Sequence, residues 1–259
     1  VADSIAALAG FFRSEGVRVL VETETAIQTE QLGGKAALVG ADCADCARIG
    51  TEADLVVVVG GDGTMLHAAR QLARYDRPLV GINQGRLGFM TDIARSDMLD
   101  AMAQLMQGAF IQEERLLLNT EVVFGGASAS WQPQANVAFN DVVIDKGATG
   151  RMIEFELRVD DEFIYSARAD GLIVCTPTGS TAYALSANGP ILHPKLGGIA
   201  LVPLCPHALS NRPITLPDTA RIEVRLVQGA NARAYFDGQE TVDLMPGDDR
   251  IDAGQPLVG

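Results

Sequence analysis

The residues with the most chemical promise are Gly60-Gly61-Asp62-Gly63-Thr64. Three glycines let bare backbone N–H groups approach a phosphate, and a helix that starts at Thr64 would add the partial positive charge of its N-terminus. Within this anion cradle stands a carboxylate, Asp62, whose charge opposes the ligand the glycines invite. One reading makes Asp62 a helix cap. The other makes it a general base, or a Mg²⁺ contact, beside a reacting phosphate, and the glycines on either side favour it. A second stretch, Arg168-Ala-Asp-Gly-Leu-Ile-Val-Cys-Thr-Pro-Thr-Gly-Ser-Thr-Ala-Tyr183, leads into a turn of small and hydroxyl side chains. Such a turn accepts a ligand against its backbone while offering several donors, or it is a well-capped helix and nothing more.

The elements that position these residues follow from the flanking pattern. Leu55 to Val59 is an unbroken apolar run dominated by valine, as in a parallel strand buried on both faces. Met65, Leu66, Ala69 and Leu72 continue from Thr64 at helical spacing. Before them, residues 3–15 form a helix stopped by Gly16, with a strand at Val17 to Val21. Residues 23–53 give no clear pattern, and no strand precedes the first helix, as if the opening strand lay outside the sequence. After them come a strand over Pro78 to Asn83 and a helix capped by Ser96, with Met98, Leu99, Met102, Leu105 and Met106 on one face. Its methionines are expected to fill a core.

Past Gly108 the pattern changes. Strand runs are expected at 115–124, 136–145, 151–159, 162–169, 171–176, 199–204, 221–227, 233–236 and 241–244, with a turn at Asp160-Asp161. One helix interrupts them, with Thr178 as N-cap and its end before Gly189-Pro190. The expectation is an N-terminal α/β domain with a parallel sheet over residues 1–110 and a β domain over residues 111–259.

Composition narrows the partners. The chain has 259 residues, 47% of them hydrophobic, and a formal net charge of −13. That charge argues against nucleic acid and an anionic membrane surface as partners, and an anionic substrate needs a local cluster of donors. No apolar run reaches membrane-span length. Cys43 and Cys46 lack a second metal-ligating pair, and Cys175 and Cys205 lie in apolar runs as buried thiols. His67, His193 and His207 are scattered, so nucleophilic catalysis has no support. Arg86, Lys146, Arg151, Arg168, Lys195 and Arg212 are candidates for neutralising phosphate charge, Arg168 foremost because it precedes Asp170.

With both motifs in view, the chain resembles the NAD kinases, which phosphorylate the 2′-hydroxyl of the adenosine ribose of NAD. Gly60–Thr64, Asn83-x-Gly-x-Leu-Gly-Phe89, Asn140-Asp141, Asp170–Tyr183, Leu192-His-Pro194, Leu201-Val-Pro-x-x-Pro-His207 and Asp237-Gly-Gln239 carry the resemblance. The glycine turn alone is shared with lipid kinases and phosphofructokinases. The resemblance implies a C-terminal β-sandwich, a site between the domains, a homodimer or homotetramer, ATP with Mg²⁺ as donor, and a cytoplasmic setting. It implies that Asp62 contacts the reacting hydroxyl and that Gly60, Gly61, Gly63, Thr64 and Arg168 serve ATP. Phe89, Asn140, Asp141, Asp170, Thr178, Thr181, Ala182, Tyr183, Ser186 and Asp237 would line the NAD site. The stretch after about Gly247 does not carry the strands this family would place there. A lipid or sugar kinase, or a non-catalytic NAD sensor, is the alternative.

Overall fold

The computed structural model describes residues 1–31, 41–85, 88–123, 134–208, 210–229, 231–244 and 250–256. The chain divides into two compact units, residues 1–113 and residues 114–258.

In the first unit, α1 (Ala2–Ser14), β1 (Leu20–Glu22), α2 (Thr23–Thr29), β2 (Asp42–Ala44) and α3 (Cys46–Glu52) lead to β3 (Val56–Gly60), α4 (Asp62–Leu72), β4 (Leu79–Asn83), β5 (Ile93–Ala94) and α5 (Met98–Met106). β3, β4 and β5 form one parallel sheet and β1 with β2 another pair, also parallel. Parallel strands need crossovers, and α4 supplies the one between β3 and β4. Leu8 of α1, Ile82 of β4, and Met98 and Met102 of α5 close the core, with Val57, Val59 and Val80 packed against them. Burying each of these side chains contributes about 1.5–3 kcal/mol. Met98 and Met102 are core filler, as expected, while Leu99 and Met106 are exposed and depart from that expectation. The stretch without a sequence pattern holds α2, β2 and α3. The first strand runs over Leu20–Glu22 rather than Val17 to Val21. Ser96 does not cap α5: it lies within a 3₁₀ turn, Arg95–Asp97, and the N-cap position falls on Asp97, without a side-chain cap bond.

The second unit is a β-sandwich. Its strands are β6 (Leu118–Val123), β7 (Gln134–Ala138), β8 (Asp141–Asp145), β9 (Ile153–Val159), β10 (Glu162–Ala169), β11 (Gly171–Cys175), β12 (Gly198–Leu204), β13 (Ile214–Pro217), β14 (Ile222–Gln228), β15 (Ala232–Phe236), β16 (Glu240–Leu244) and β17 (Arg250–Pro256), with a short α6 (Tyr183–Ser186) between β11 and β12. They form two six-stranded antiparallel sheets, ordered β10-β9-β14-β17-β6-β7 and β13-β12-β11-β8-β15-β16. The turn at Asp160-Asp161 forms as expected, both residues in the left-handed region with φ of 51° and 66°. β13 and β17 carry no strand signal in the sequence reading. β17 nonetheless pairs with both β14 and β6.

Alternation along the second sheet feeds two cores. Leu172 and Val174 of β11 face the core between the sheets, with Val142 and Ile144 of β8. Ile173 and Cys175 face the opposite side, where Ala184 and Leu192 cover them. Successive strand residues point to opposite faces, so a strand covered on both sides must be apolar throughout. The segment after β11 is therefore fastened over the outer face of this sheet, which places it beside the candidate site.

The expected helix from Thr178 is broken. A 3₁₀ turn, Gly179–Thr181, is followed by Ala182 with φ −96° and ψ −123°, and only then by α6. The hydroxyl that accepts Gly179 N–H belongs to Thr176, at 3.0 Å, and Thr178 makes no side-chain cap. Ser180 Oγ donates to Pro177 O at 2.6 Å and Thr181 Oγ1 to Thr178 O at 3.1 Å. Local bonds of this kind compete with the helical ladder and hold the turn.

Candidate functional site

In the first unit β3 runs into Gly61, the N-cap, and Asp62 is the first residue of α4. An acidic residue there complements the helix dipole. Its carboxylate does more than cap. Oδ2 accepts Phe89 N–H at 2.8 Å, while Oδ1 accepts Met90 N–H at 3.2 Å, Thr91 N–H at 3.2 Å and the Thr91 hydroxyl at 3.0 Å. Thr91 in turn accepts from Asn83 Nδ2 at 2.8 Å, which anchors the loop to the end of β4. A Cβ on residue 88 would strike the Asp62 carboxylate, so only glycine lets the loop close this tightly. Partial burial opposes ionisation of Asp62, but the bonds from Phe89, Met90 and Thr91 outweigh it and hold the carboxyl below its ordinary range.

Around the turn, a Cβ added at Gly61 or Gly63 would meet nothing within 4 Å, which is the open approach a phosphate needs. Thr64 N–H and Met65 N–H both bond to Gly61 O, so those two amides serve the helix. Gly60 packs against the Thr64 side chain. Phe89 is 85% exposed, and its amide rather than its ring touches Asp62.

In the second unit a cavity of about 390 Å³ is lined by Asn140, Asp141, Val143, Asp145, Ala182, Tyr183, Tyr235, Asp237 and Gly238. That volume suits part of a nucleotide. Asp141, Val143 and Asp145 lie two apart along β8 and so share one face. Tyr235 of β15 pairs with Val143. Asp237, in the left-handed region with φ 52°, turns its carboxylate back on the strand start. It accepts Phe139 N–H at 2.8 Å, Asn140 N–H at 2.6 Å and Asp141 N–H at 3.1 Å. From the other side Thr176 donates its hydroxyl to Phe139 O at 2.7 Å and its amide to Asn140 O at 2.9 Å. Gly179 packs so closely on the Asn140 backbone that a Cβ there would collide with it. Asn140 is thus clamped on two sides. Burial, and then the charge of Asp237, pushes the Asp141 carboxyl up to about 7.

A second cavity of about 180 Å³ shares Asp145 and Tyr183 with the first and adds Lys146, Gly147, Asp170, Leu204 and Cys205. Lys146 Nζ bonds Asp170 Oδ1 at 2.8 Å. Burial, followed by nearby negative groups led by Asp145, raises the Tyr183 hydroxyl.

The structure thus brings Asn140, Asp141, Ala182, Tyr183 and Asp237 to one cavity and Asp170 to its neighbour. Thr178, Thr181, Ser186 and Arg168 line neither. Arg168 stands exposed in β10, opposite Glu154. Cys205 is not the buried thiol expected of it: it follows β12 with φ 43°, which turns it out of the sheet to an exposed position. Arg86 lies outside the described residues. The sequence reading missed Asp145, which period-two alternation from Asp141 would have found. It also missed Thr91, Thr176 and Tyr235, which no local spacing marks.

Comparison with known proteins extends over both units. The family model for the ATP-NAD kinase N-terminal domain matches residues 11–110, and that for the ATP-NAD kinase C-terminal domain matches residues 139–253. An NAD kinase from Azoarcus sp. (strain BH72) is 53% identical over 248 residues, 96% of this chain and 81% of that protein. The crystal structure of yeast NADH kinase complexed with NADH superposes with a TM-score of 0.86 at 25% identity, over 97% of this chain and 75% of that one. An NAD kinase from Archaeoglobus fulgidus in complex with ATP gives a TM-score of 0.69 at 27% identity, over 93% and 92%. These matches make the chain a kinase. It belongs to the NAD kinase family.

Proposed function

We propose that the chain transfers the γ-phosphate of ATP to the 2′-hydroxyl of the adenosine ribose of NAD, giving NADP, with Asp62 as general base. The observation that carries this reading is a carboxylate set inside an open glycine turn and held rigid by four donors. Phosphoryl transfer needs little covalent help: positioning, charge neutralisation and an acceptor for the hydroxyl proton do most of it. A carboxylate has roughly four lone-pair sites. Oδ1 of Asp62 already accepts three bonds and Oδ2 one, so Oδ2 is the oxygen with room for a substrate hydroxyl. Its lowered pKa keeps it ionised at neutral pH, and the hydroxyl becomes acidic enough to yield its proton as the new P–O bond forms.

The acidic cavity of the second unit supports placing NAD rather than triphosphate there. Asp145 and Asp237 disfavour a triphosphate, whereas amides and carboxyls suit adenine and ribose hydroxyls. Asn140 and Asp141 would hold the adenosine and Asp170 the nicotinamide end, with Tyr183 shared between the two cavities. Thr178, Thr181 and Ser186 would act from the turn that covers them.

Mg²⁺ enters this account with ATP, as part of the substrate. Among the described residues no group of three or more His, Cys, Asp or Glu side chains could hold an ion. Mg²⁺ commonly sits on phosphates with one or two carboxylates, so a protein cage is not required. Arg168 would contribute to donor or acceptor choice, and Arg168→Gly would broaden it. A cytoplasmic setting and a homodimer or homotetramer complete the proposal. No described helix is long and apolar enough to cross a membrane.

The test is incubation with Mg·ATP and NAD. NADP phosphorylated at the 2′-hydroxyl is expected. NAD binding without product under any divalent metal would favour a sensor, and phosphorylation of a lipid or sugar instead would favour the other kinase reading.

A further inference from the structure

Three carboxylates at the candidate sites differ in how they are satisfied. Asp62 accepts four hydrogen bonds, and Asp237 accepts the amides of Phe139, Asn140 and Asp141. Asp141 is 5% exposed, yet among the described residues no donor bonds its carboxyl and no cation pairs with it. A buried carboxylate without donors or a counter-charge is costly as an anion.

Its surroundings deepen that cost from every side. Asp237, in the β15–β16 turn, uses its own carboxylate on the amides of residues 139–141, so the two acids are adjacent. Asp145 follows on the same face of β8, Tyr183 approaches from α6, and Cys175 of β11 stands opposite Asp141 in register. The nearby cation, Lys146, lines the adjoining cavity and is bonded to Asp170. Tyr235 of β15 lines the same cavity, and among the described residues the titratable groups facing Asp141 there are all acids.

We propose that Asp141 meets the dinucleotide as the neutral acid, donating a hydrogen bond from its carboxyl to an acceptor atom of the ligand, a ring nitrogen or a hydroxyl oxygen. The proposal rests on the reading that NAD occupies this cavity. A neutral donor at this point tolerates the pair of adjacent carboxyls, recognises an acceptor that a carboxylate would repel, and couples binding to one proton. The direction of the Asp141 shift agrees with it.

Calorimetric titration of the intact chain with NAD alone, between pH 6 and pH 9, tests this. Binding is expected to weaken towards about tenfold per pH unit above pH 8, with about one proton taken up per NAD bound there and almost none at pH 6. Asp141→Asn presents an amide donor without a charge, and is expected to bind NAD without proton uptake and with a flat pH profile. A wild-type profile that is flat and free of proton uptake would overturn the proposal while leaving NAD in its cavity. So would an Asp141→Asn profile that falls as the parent's does. Absence of NAD binding at every pH would overturn the reading of the cavity and the proposal with it.

Discussion

Asp237 reaches back across the sheet to accept three consecutive amides, those of Phe139, Asn140 and Asp141, and its own N–H donates to Asp141 O at 3.0 Å. The residues are about a hundred positions apart in sequence, with separations of 96 to 98. Asp237 therefore shapes the cavity of the second unit mainly by holding the segment that carries Asn140. Asp237→Ala leaves three part-buried amides without their acceptor, at about 1–3 kcal/mol each if water does not replace it. The expected result is a lower melting temperature and a raised KM for NAD, with the KM for ATP little changed. Equal rises in both would indicate general damage instead of loss of this clamp.

Asp141 links stability to pH. Its folded carboxyl titrates near 7 against an ordinary value of 3.8. The folded state thus binds the proton more tightly than the unfolded state, and the resulting stability is fully present below 3.8 and lost as pH rises from there to about 7. Asp141→Asn removes the titration. Its stability relative to the parent should improve by about 3 kcal/mol between pH 5 and pH 8. Denaturant unfolding at the two pH values measures the difference, and a constant difference would contradict the assignment.

Thr91 is fully buried and joins Asn83 to Asp62 through one hydroxyl. Thr91→Val keeps the shape and removes the hydroxyl. It should cost about 1–3 kcal/mol of stability, raise the pKa of Asp62, and lower kcat far less than loss of the Asp62 charge would. The acid limb of the kcat profile is the quantity to follow: it should move towards higher pH.

Much of the fold was legible because hydrophobic periodicity is strong where strands are buried on both faces. Val56–Val59 and Gly171–Cys175 are apolar without interruption, and both are strands. β13 and β17 were not legible: Ile214–Pro217 contains a proline, and Arg250–Pro256 alternates weakly, so both depend on partners distant in sequence. The helix expected from Thr178 failed for a local reason, since Ser180 and Thr181 bond to nearby carbonyls and Gly179 packs on Asn140. At the candidate site, the strand-to-helix turn at Gly60–Thr64 could be read directly, because three glycines between an apolar run and a helical pattern mark such a turn. The four donors on Asp62 could not, since three come from backbone at positions 89–91 whose side chains carry no sign of it.

Those donors alter what Asp62→Asn is expected to do. From spacing alone, asparagine would keep the cap and most bonds. In the structure an amide nitrogen replaces one of two accepting oxygens, so it meets an N–H where a lone pair stood, and some stability is lost with the 88–91 loop.

The direct test of the account is therefore kcat for Asp62→Asn at saturating Mg·ATP and NAD, at a temperature where the variant is shown to be folded, alongside calorimetric binding of NAD. If Asp62 accepts the hydroxyl proton, kcat falls by ~10²–10⁴ while NAD affinity is retained. A kcat within a few-fold of the parent's, with the same NAD affinity, would contradict the account and leave Asp62 as the tie between α4 and its loop.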